Sequence, residues 1–309
     1  MAWEKRGLIF KPSGESSWMK THAQIPTALL LDDRIRVYIA TRPEQQISIP
    51  TFIDVDIEDP TQILAIHDRP ILEFGGSGEF DQFGIMPSCA MHVGDEVWLY
   101  YGGWNRGVEI PNQLATGLAI SKDGGKTFEK PFAGPLLASN RFHPFSLMAV
   151  NMLRHDDNTW HMWYGATRKW EKINERWEQT YNIYHGESVD GINWQLDGKL
   201  CIPKSSEDEC TIRPAVIYEN DLYHMWFSHR KTQDYYGGNG SYRMGYATSK
   251  DGKTWERDDR KAGIELSEDG WDSKMISYPN IVDTPHGRYM FYNGNDFGIE
   301  GFGYAVWQE

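Results

Sequence analysis

Several features are scarce in this 309-residue sequence, and each scarcity narrows what it can be. No uninterrupted apolar run reaches the roughly 18 residues that a membrane-spanning helix needs, so no membrane partner is expected. Positive charge is in deficit, with 31 Lys and Arg against 44 Asp and Glu for a net charge of -13. A reader of nucleic-acid backbones needs a basic stripe instead, so nucleic acid is not an expected partner. There are three cysteines, Cys89, Cys201 and Cys210, an odd number in no metal-type spacing. The first ten residues carry Glu4, Lys5 and Arg6 with no apolar core behind them, which reads as no signal peptide. Unpaired thiols without an export signal suit a reducing cytoplasm. The histidines lack metal-ligand spacing, and there is neither a P-loop nor a dinucleotide fingerprint, so no metal and no cofactor is expected. Composition carries no signature of an oligomeric state. Helical periodicity is nearly absent too. Only Trp170–Gln179 has the character of a short helix, and it lies inside a loop.

What is abundant is aromatic. Phe, Trp and Tyr make up 14% of the chain, including 13 Trp. Such residues pack sheets together, and they also form stacking platforms for sugars and bases. They recur with order. A short apolar strand, a polar turn and an aromatic strand run through 26–40, 87–102, 150–165, 214–228 and 279–294. The equivalent second-strand residues Ile39, Tyr101, Tyr164, Phe227 and Tyr292 are 62, 63, 63 and 65 residues apart. Five copies at so constant a period predict a repeat architecture.

A third strand follows in each copy, at Phe52–Asp56, Leu114–Ser121, Asn182–Ser188, Met244–Ser249 and Phe302–Trp307. In the middle three it runs into Ser121–Phe128, Ser188–Trp194 and Ser249–Trp255. Each of these holds an Asp-Gly pair, a hairpin signal because Gly tolerates φ > 0. Fourth strands are expected at Arg69–Phe74, Gly134–Ala138, Gly198–Pro203 and Gly263–Ser267. The fifth copy has none. Arg6–Pro12 has the missing strand's character, and closing the ring with it removes an exposed sheet edge. The expected fold is therefore one all-β domain over 1–309. It is a five-bladed β-propeller of four antiparallel strands per blade, its N-terminal strand completing the last blade.

The turns from first to second strand are short, whereas the second-to-third loops at 41–50, 103–113, 167–180, 229–241 and 293–301 are mostly long. Long loops on a rigid ring are where binding concentrates, so the site is expected on their face. Residues leading into the inner strands converge on the ring axis. They include His22 and Gln24, Asp81, His143, Glu209 and Arg213, and Asp272 and Tyr278. Arg42 and Arg230 close second strands on the same face, as does Trp104 in 100–107.

The five units, the Asp-box-like turns, the Pro-initiated inner strands and the motifs GWDSKMISYP (Gly270–Pro279) and YMFYNGN (Tyr289–Asn295) resemble one known group. It is the five-bladed glycoside hydrolase superfamily: invertase-like fructosidases, arabinanases and β-xylosidases, and mannoside phosphorylases. The resemblance covers nearly the whole chain at the level of the repeat. It implies a carbohydrate-active enzyme that cleaves a glycosidic bond by hydrolysis or phosphorolysis. Those hydrolases place an Asp beside the first inner strand, where this chain reads Thr21-His22-Ala23-Gln24-Ile25-Pro26. Two alternatives therefore stand beside the first reading. One is a non-hydrolytic enzyme of sugar or polysaccharide biosynthesis, and the other is a carbohydrate-binding propeller without chemistry.

Glycosidic cleavage needs a proton donor and a second group that helps form the new bond. Glu209 is the expected donor, with burial raising its pKa toward neutrality. Asp81 is the expected base or water-orienting group, and Asp272, at the equivalent place in its unit, competes with it. Arg42, Arg213 and Arg230, joined by His22 and His143, point to an anionic ligand, because guanidinium binds carboxylate or phosphate in bidentate fashion. Trp104 is the expected stacking platform, and Tyr278 and Asn293 complete the substrate-binding set. The expected partner is a small carbohydrate, itself anionic or accompanied by phosphate.

Overall fold

A computed structural model describes residues 2–44 and 47–308; residues 45 and 46 of the first long loop lie outside the described residues. The first strand, β1 (Ala2–Phe10), pairs with the last strand of the chain. Blade 1 is β2 (Thr21–Leu30), β3 (Arg34–Arg42), β4 (Ile49–Asp56) and β5 (Ile63–Ile66). Blade 2 is β6 (Gly84–Val93), β7 (Glu96–Arg106) and β8 (Asn112–Ser121), its fourth member reduced to isolated bridges at Glu129 and Leu137. Blade 3 is β9 (Leu147–Arg154), β10 (Trp160–Ile173), β11 (Arg176–Ser188) and β12 (Gln195–Leu200). Blade 4 is β13 (Glu209–Glu219), β14 (Leu222–Lys231), β15 (Arg243–Ser249) and β16 (Glu256–Arg257). Blade 5 is β17 (Ser277–Thr284), β18 (Gly287–Asn293) and β19 (Phe302–Gln308), completed by β1 in the order β1-β19-β18-β17. The chain is thus a five-bladed β-propeller closed by its own N-terminal strand, as the repeat predicts.

Two sequence expectations are corrected. The fourth strands begin earlier than predicted, directly after the turn that ends each third strand, and the segments at 69–74, 134–138, 201–203 and 263–267 are irregular continuations. Bonds such as Ile71 N to Pro50 O (3.1 Å), Leu136 N to Thr116 O (2.8 Å) and Cys201 N to Ile183 O (3.0 Å) hold the first three to the third strand. The helical reading of Trp170–Gln179 also fails. β10 and β11 extend through it as a hairpin that turns at Asn174 and Glu175, both with positive φ (47° and 63°). That is the two-residue turn whose twist suits a β-ribbon.

The aromatic content is spent largely between blades. Tyr38 Oη donates to Gly125 O (2.8 Å), Tyr100 Oη to Gly191 O (3.0 Å) and Trp163 Nε1 to Gly252 O (2.7 Å). Each reaches from a second strand to the Asp-Gly turn of the next blade. Those turns are held rigid for the purpose. Asp123 Oδ1 accepts from Ser121 Oγ and from the Lys126 and Thr127 amides (2.6, 2.9 and 3.0 Å), and Asp190 and Asp251 repeat the pattern. Apolar clusters fill the wedges between blades, and the one joining blades 1 and 5 includes Ile9 and Phe10 of β1 with Phe291 and Phe302. Burying such side chains is worth about 1.5–3 kcal/mol each, so the closing strand is a principal part of the core.

Candidate functional site

The inner strands are bulged where they enter the ring, as the register breaks in β2, β9, β13 and β17 record. At those breaks Ile25, Ala149, Arg213 and Tyr278 have positive φ (56°, 53°, 55° and 57°). Left-handed backbone is costly for non-glycine residues. Three of the four precede a proline, which favours extended backbone instead. All four line the floor of one central funnel. Strain that the ring holds in place thus aims four side chains at the axis.

Arg213 is fully buried at the bottom. Its Nη1 donates to Ser88 O and to Val150 O (3.3 Å), and its Nη2 to Pro26 O (3.3 Å) and Thr27 Oγ1 (3.0 Å). One guanidinium therefore ties blades 1, 2 and 3 from blade 4. Burial lowers its pKa to about 10, so it stays a cation at neutral pH. Above it, Arg42 Nη2 donates to Gln24 Oε1 (2.8 Å), and its guanidinium lies 5.4 Å from the Trp104 ring. Arg230 donates from Nε to Tyr181 Oη (2.6 Å) and from Nη1 to Lys231 O (2.6 Å), and it stacks 3.8 Å from the Tyr235 ring. Tyr181 Oη is hydrogen-bonded to Tyr242 Oη, and Tyr242 packs against Tyr278. Burial raises the pKa of all three phenols, so they remain protonated donors. At the mouth, burial and then the charge of Arg42 lower the His22 pKa to about 3, leaving a neutral imidazole.

The floor and the mouth share Gln24, Arg42, Trp104, Gln179, Tyr181, Tyr242 and Tyr278 and form one continuous funnel. Among its described residues the three arginines meet no carboxylate, and Asp296 at the mouth is the one acid on the wall. Arg42 Nε, Arg213 Nε, Trp104 Nε1 and Asn112 Oδ1 are buried there without a hydrogen-bond partner in the protein. The structure thus brings together His22, Arg42, Trp104, Arg213, Arg230 and Tyr278 of the expected set.

The three expected catalytic carboxylates lie elsewhere, and their surroundings are alike. Asp81 accepts from Lys130 Nζ (2.7 Å) and Tyr101 Oη (2.8 Å). Asp272 accepts from Lys5 Nζ (2.8 Å) and Tyr292 Oη (2.9 Å). Glu209 receives both ends of the Arg257 guanidinium (2.8 Å each), with Ser205 N and Oγ adding bonds of 2.7 and 2.8 Å. In all three, a buried acid ahead of an inner strand is tied to a cation that follows an aromatic-acid pair: Phe128-Glu129-Lys130, Trp255-Glu256-Arg257 or Trp3-Glu4-Lys5. The expectation of a raised Glu209 pKa is overturned. Burial pushes upward, but bonds from His229, Arg257 and Ser205 outweigh it and hold the carboxyl well below the ordinary glutamate range. A carboxylate held ionised near neutral pH and bonded at both oxygens is a poor proton donor.

Two expected binding residues are also outside the funnel. His143 takes the acid's place in blade 3, where Leu196 replaces the cation. Its Nε2 bonds Tyr164 Oη (2.9 Å), and burial lowers its pKa to about 4. Asn293 locks blade 5 to blade 1 by accepting from Ile25 N (2.7 Å) and donating to Ala23 O (2.7 Å) and Gly301 O (2.9 Å). Sequence reasoning missed Gln179, Tyr181, Tyr235, Tyr242 and Asp296. Tyr181 and Tyr242 stand one residue beyond two of the long loops, and the other three lie within them.

No family model matches the chain. It is 36% identical over 308 residues to uncharacterized protein MT1551 of Mycobacterium tuberculosis strain CDC 1551, and equally to uncharacterized protein Rv1502 of strain H37Rv, covering 99% of this protein and 99% of each relative. Among solved structures, a glycoside hydrolase aligns with a TM-score of 0.72 at 16% identity, over 98% of this protein and 90% of that one. A thermostable family-43 glycoside hydrolase gives 0.70 at 16%, over 96% and 93%. A GH130-family glycoside hydrolase that targets β-1,2 mannosidic linkages in Candida mannan gives 0.69 at 14%, over 99% and 93%. At such identities the likeness is one of fold, that of the glycoside hydrolase five-bladed propellers.

Proposed function

This protein belongs to the same family as the M. tuberculosis protein MT1551, and from that premise we propose that it is a carbohydrate-active propeller whose funnel takes a small anionic sugar. One observation carries this reading. Arg42, Arg213 and Arg230 reach a single funnel whose one described acid, Asp296, forms an ion pair with none of them, in a chain that has acids in excess. Charge-assisted bonds to a carboxylate or phosphate are worth about 1.5–3 kcal/mol each, and Trp104 and the tyrosines offer faces for a sugar ring. Two-carboxylate hydrolysis has no support, because Asp81, Glu209 and Asp272 are committed to cations in the blades.

Asp296 favours one reaction class. With phosphate held by the arginines, a phosphate oxygen attacks the anomeric carbon as the glycosidic C–O bond breaks. A single carboxyl then suffices to protonate the leaving oxygen. Asp296 is the funnel's candidate for that proton.

Calorimetric titration with inorganic phosphate, a sugar phosphate, a uronic acid and the matching neutral sugar tests the binding. Anions should bind, more weakly as salt rises, and Arg42→Gln should cost at least tenfold in affinity. A neutral sugar binding as tightly as its charged counterpart would overturn the reading. For the reaction, Asp296→Asn should abolish phosphate-dependent cleavage of glycosides while leaving phosphate binding intact; unchanged turnover removes Asp296 from the chemistry.

A further inference from the structure

A second site stands at the other end of β11, away from the funnel. Gln179 and Tyr181 lie near the start of that strand and face the funnel, whereas His185 and Glu187 lie near its end. His161 of β10 is the direct cross-strand partner of Glu187. His185 precedes Glu187 by two residues, so its side chain leaves the sheet on the same face. No single stretch of sequence shows a metal motif here, because the spacing is made by strand pairing.

We propose that His161, His185 and Glu187 form a binding site for a borderline divalent cation of the Zn2+ class. His161 Nδ1 and His185 Nε2 are 2.9 Å apart, and each of the three residues offers a ligand atom within 4.8 Å of the others. Two imidazole nitrogens and a carboxylate oxygen are a donor set that suits zinc and leaves a coordination position open. Both rings are buried between the strands, and a cation takes imidazole in its neutral form. In the metal-free protein the two facing nitrogens share one proton; with a cation between them, the donating ring carries its proton on its other nitrogen. Surrounding groups fix the rings. Trp163 stacks on His161 at 5.8 Å, and His155, itself bonded to Tyr223 Oη (2.8 Å), stands edge-on to it at 5.2 Å. A surface cavity lined by His185, Asp197, Lys199, Asp251 and Lys253 gives access from solvent. One group competes: Lys253 Nζ holds Glu187 at 2.7 Å.

That competitor makes the inference testable without reference to activity. The protein, stripped with a chelator, is titrated with Zn2+ against a chromophoric competitor. One equivalent should bind. His161→Gln, His185→Gln and Glu187→Gln should each weaken binding about 10–100-fold, and Lys253→Ala, which frees the carboxylate, should tighten it. Glu187 and Lys253 are partly exposed, so their variants decide the matter even if a histidine variant fails to fold. If the three residues are only a strand-to-strand tie, no stoichiometric binding will be seen, or Lys253→Ala will leave it unchanged or weaker. Either result overturns the site.

Discussion

The arginines of the funnel and the carboxylates of the blades are opposite cases of one problem, the burial of charge. Asp81, Glu209 and Asp272 each have a cation within 2.8 Å. Arg42, Arg213 and Arg230 have carbonyls, a hydroxyl, a phenol and an amide instead. Breaking a buried pair is costly because it strands the surviving charge, so the carboxylates belong to the fold. Arg213 is held by four bonds that tie the blades, but a desolvated Arg42 with an unbonded Nε and no counter-charge is an expense the fold alone does not explain. The repeat already separates the two sets. An acid that recurs in the same place with the same Lys or Arg partner is a tie. The residue before the inner-strand bulge reads Ile25, Ala149, Arg213 or Tyr278, and variation at a fixed position marks a site.

The tie that should matter most is the one that also closes the ring. Deleting residues 1–12 removes β1, the Trp3 packing against Trp226 and Trp307, and the Lys5 partner of Asp272. The expected outcome is loss of cooperative unfolding and of soluble yield. A soluble deletion variant with an unchanged melting temperature would show that the blade-5 tie is dispensable.

Next in size is Glu209→Ala, which removes one of the two carboxylates on the buried Arg257, leaving Asp259 at 2.6 Å, and the acceptor of Ser205 N and Oγ; it should cost about 2–3 kcal/mol. The pH dependence has a definite sign. The folded carboxyl titrates below its ordinary 4.5, so its contribution is complete above that value and is lost as pH falls toward the depressed folded value. Urea unfolding of wild type and variant should therefore differ by a constant amount from pH 7 down to about 4.5 and converge below it. A gap that widens on acidification would mean that the carboxyl is protonated in the fold, as a catalytic acid would be.

Asp81→Asn and Asp272→Asn come third. The two acids have matching partners, so each change should cost a similar amount, about 1–3 kcal/mol, with ligand affinity at the funnel unmoved. Unequal losses, or a loss of affinity in one alone, would break the equivalence of blades 2 and 5.

The fold was legible because five aromatic strands recur at one period and the Asp-Gly turns punctuate them. The helical reading of Trp170–Gln179 failed at Asn174-Glu175, where two consecutive positive-φ residues make a hairpin turn. Arg42 and Arg230 were legible because they stand at the ends of second strands on the long-loop face, and Arg213 because it precedes an inner-strand proline. The carboxylates misled because an acid ahead of an inner strand looks the same whether it faces the axis or a lysine. The deciding partner, Lys130, Arg257 or Lys5, is distant in sequence, and for Asp272 it sits at the opposite end of the chain. The His161–His185–Glu187 group was hidden for a similar reason, since only the register of β10 on β11 brings it together.

The smallest expected effect on stability is the sharpest test of the comparison. Arg42 is largely desolvated, and burial lowers its pKa. Its Nε has no partner, and its one bond within the protein to a side-chain acceptor is to Gln24. Arg42→Met keeps the apolar stem against Trp104 and removes the charge. Were Arg42 a structural tie like the cations of the blades, this change would strand a carboxylate and cost several kcal/mol. Because it pairs with no carboxylate among the described residues, unfolding free energy should move by no more than about 0.5 kcal/mol, or rise, since an unneutralised buried charge is relieved. Affinity for the anionic ligand should fall at least tenfold in the same variant. Stability and binding thus respond oppositely to Arg42→Met and to Glu209→Ala, which should lower stability and leave binding alone. If both variants lost stability alike and neither changed binding, the funnel arginines would be part of the scaffold, and the distinction between tie and site would fail.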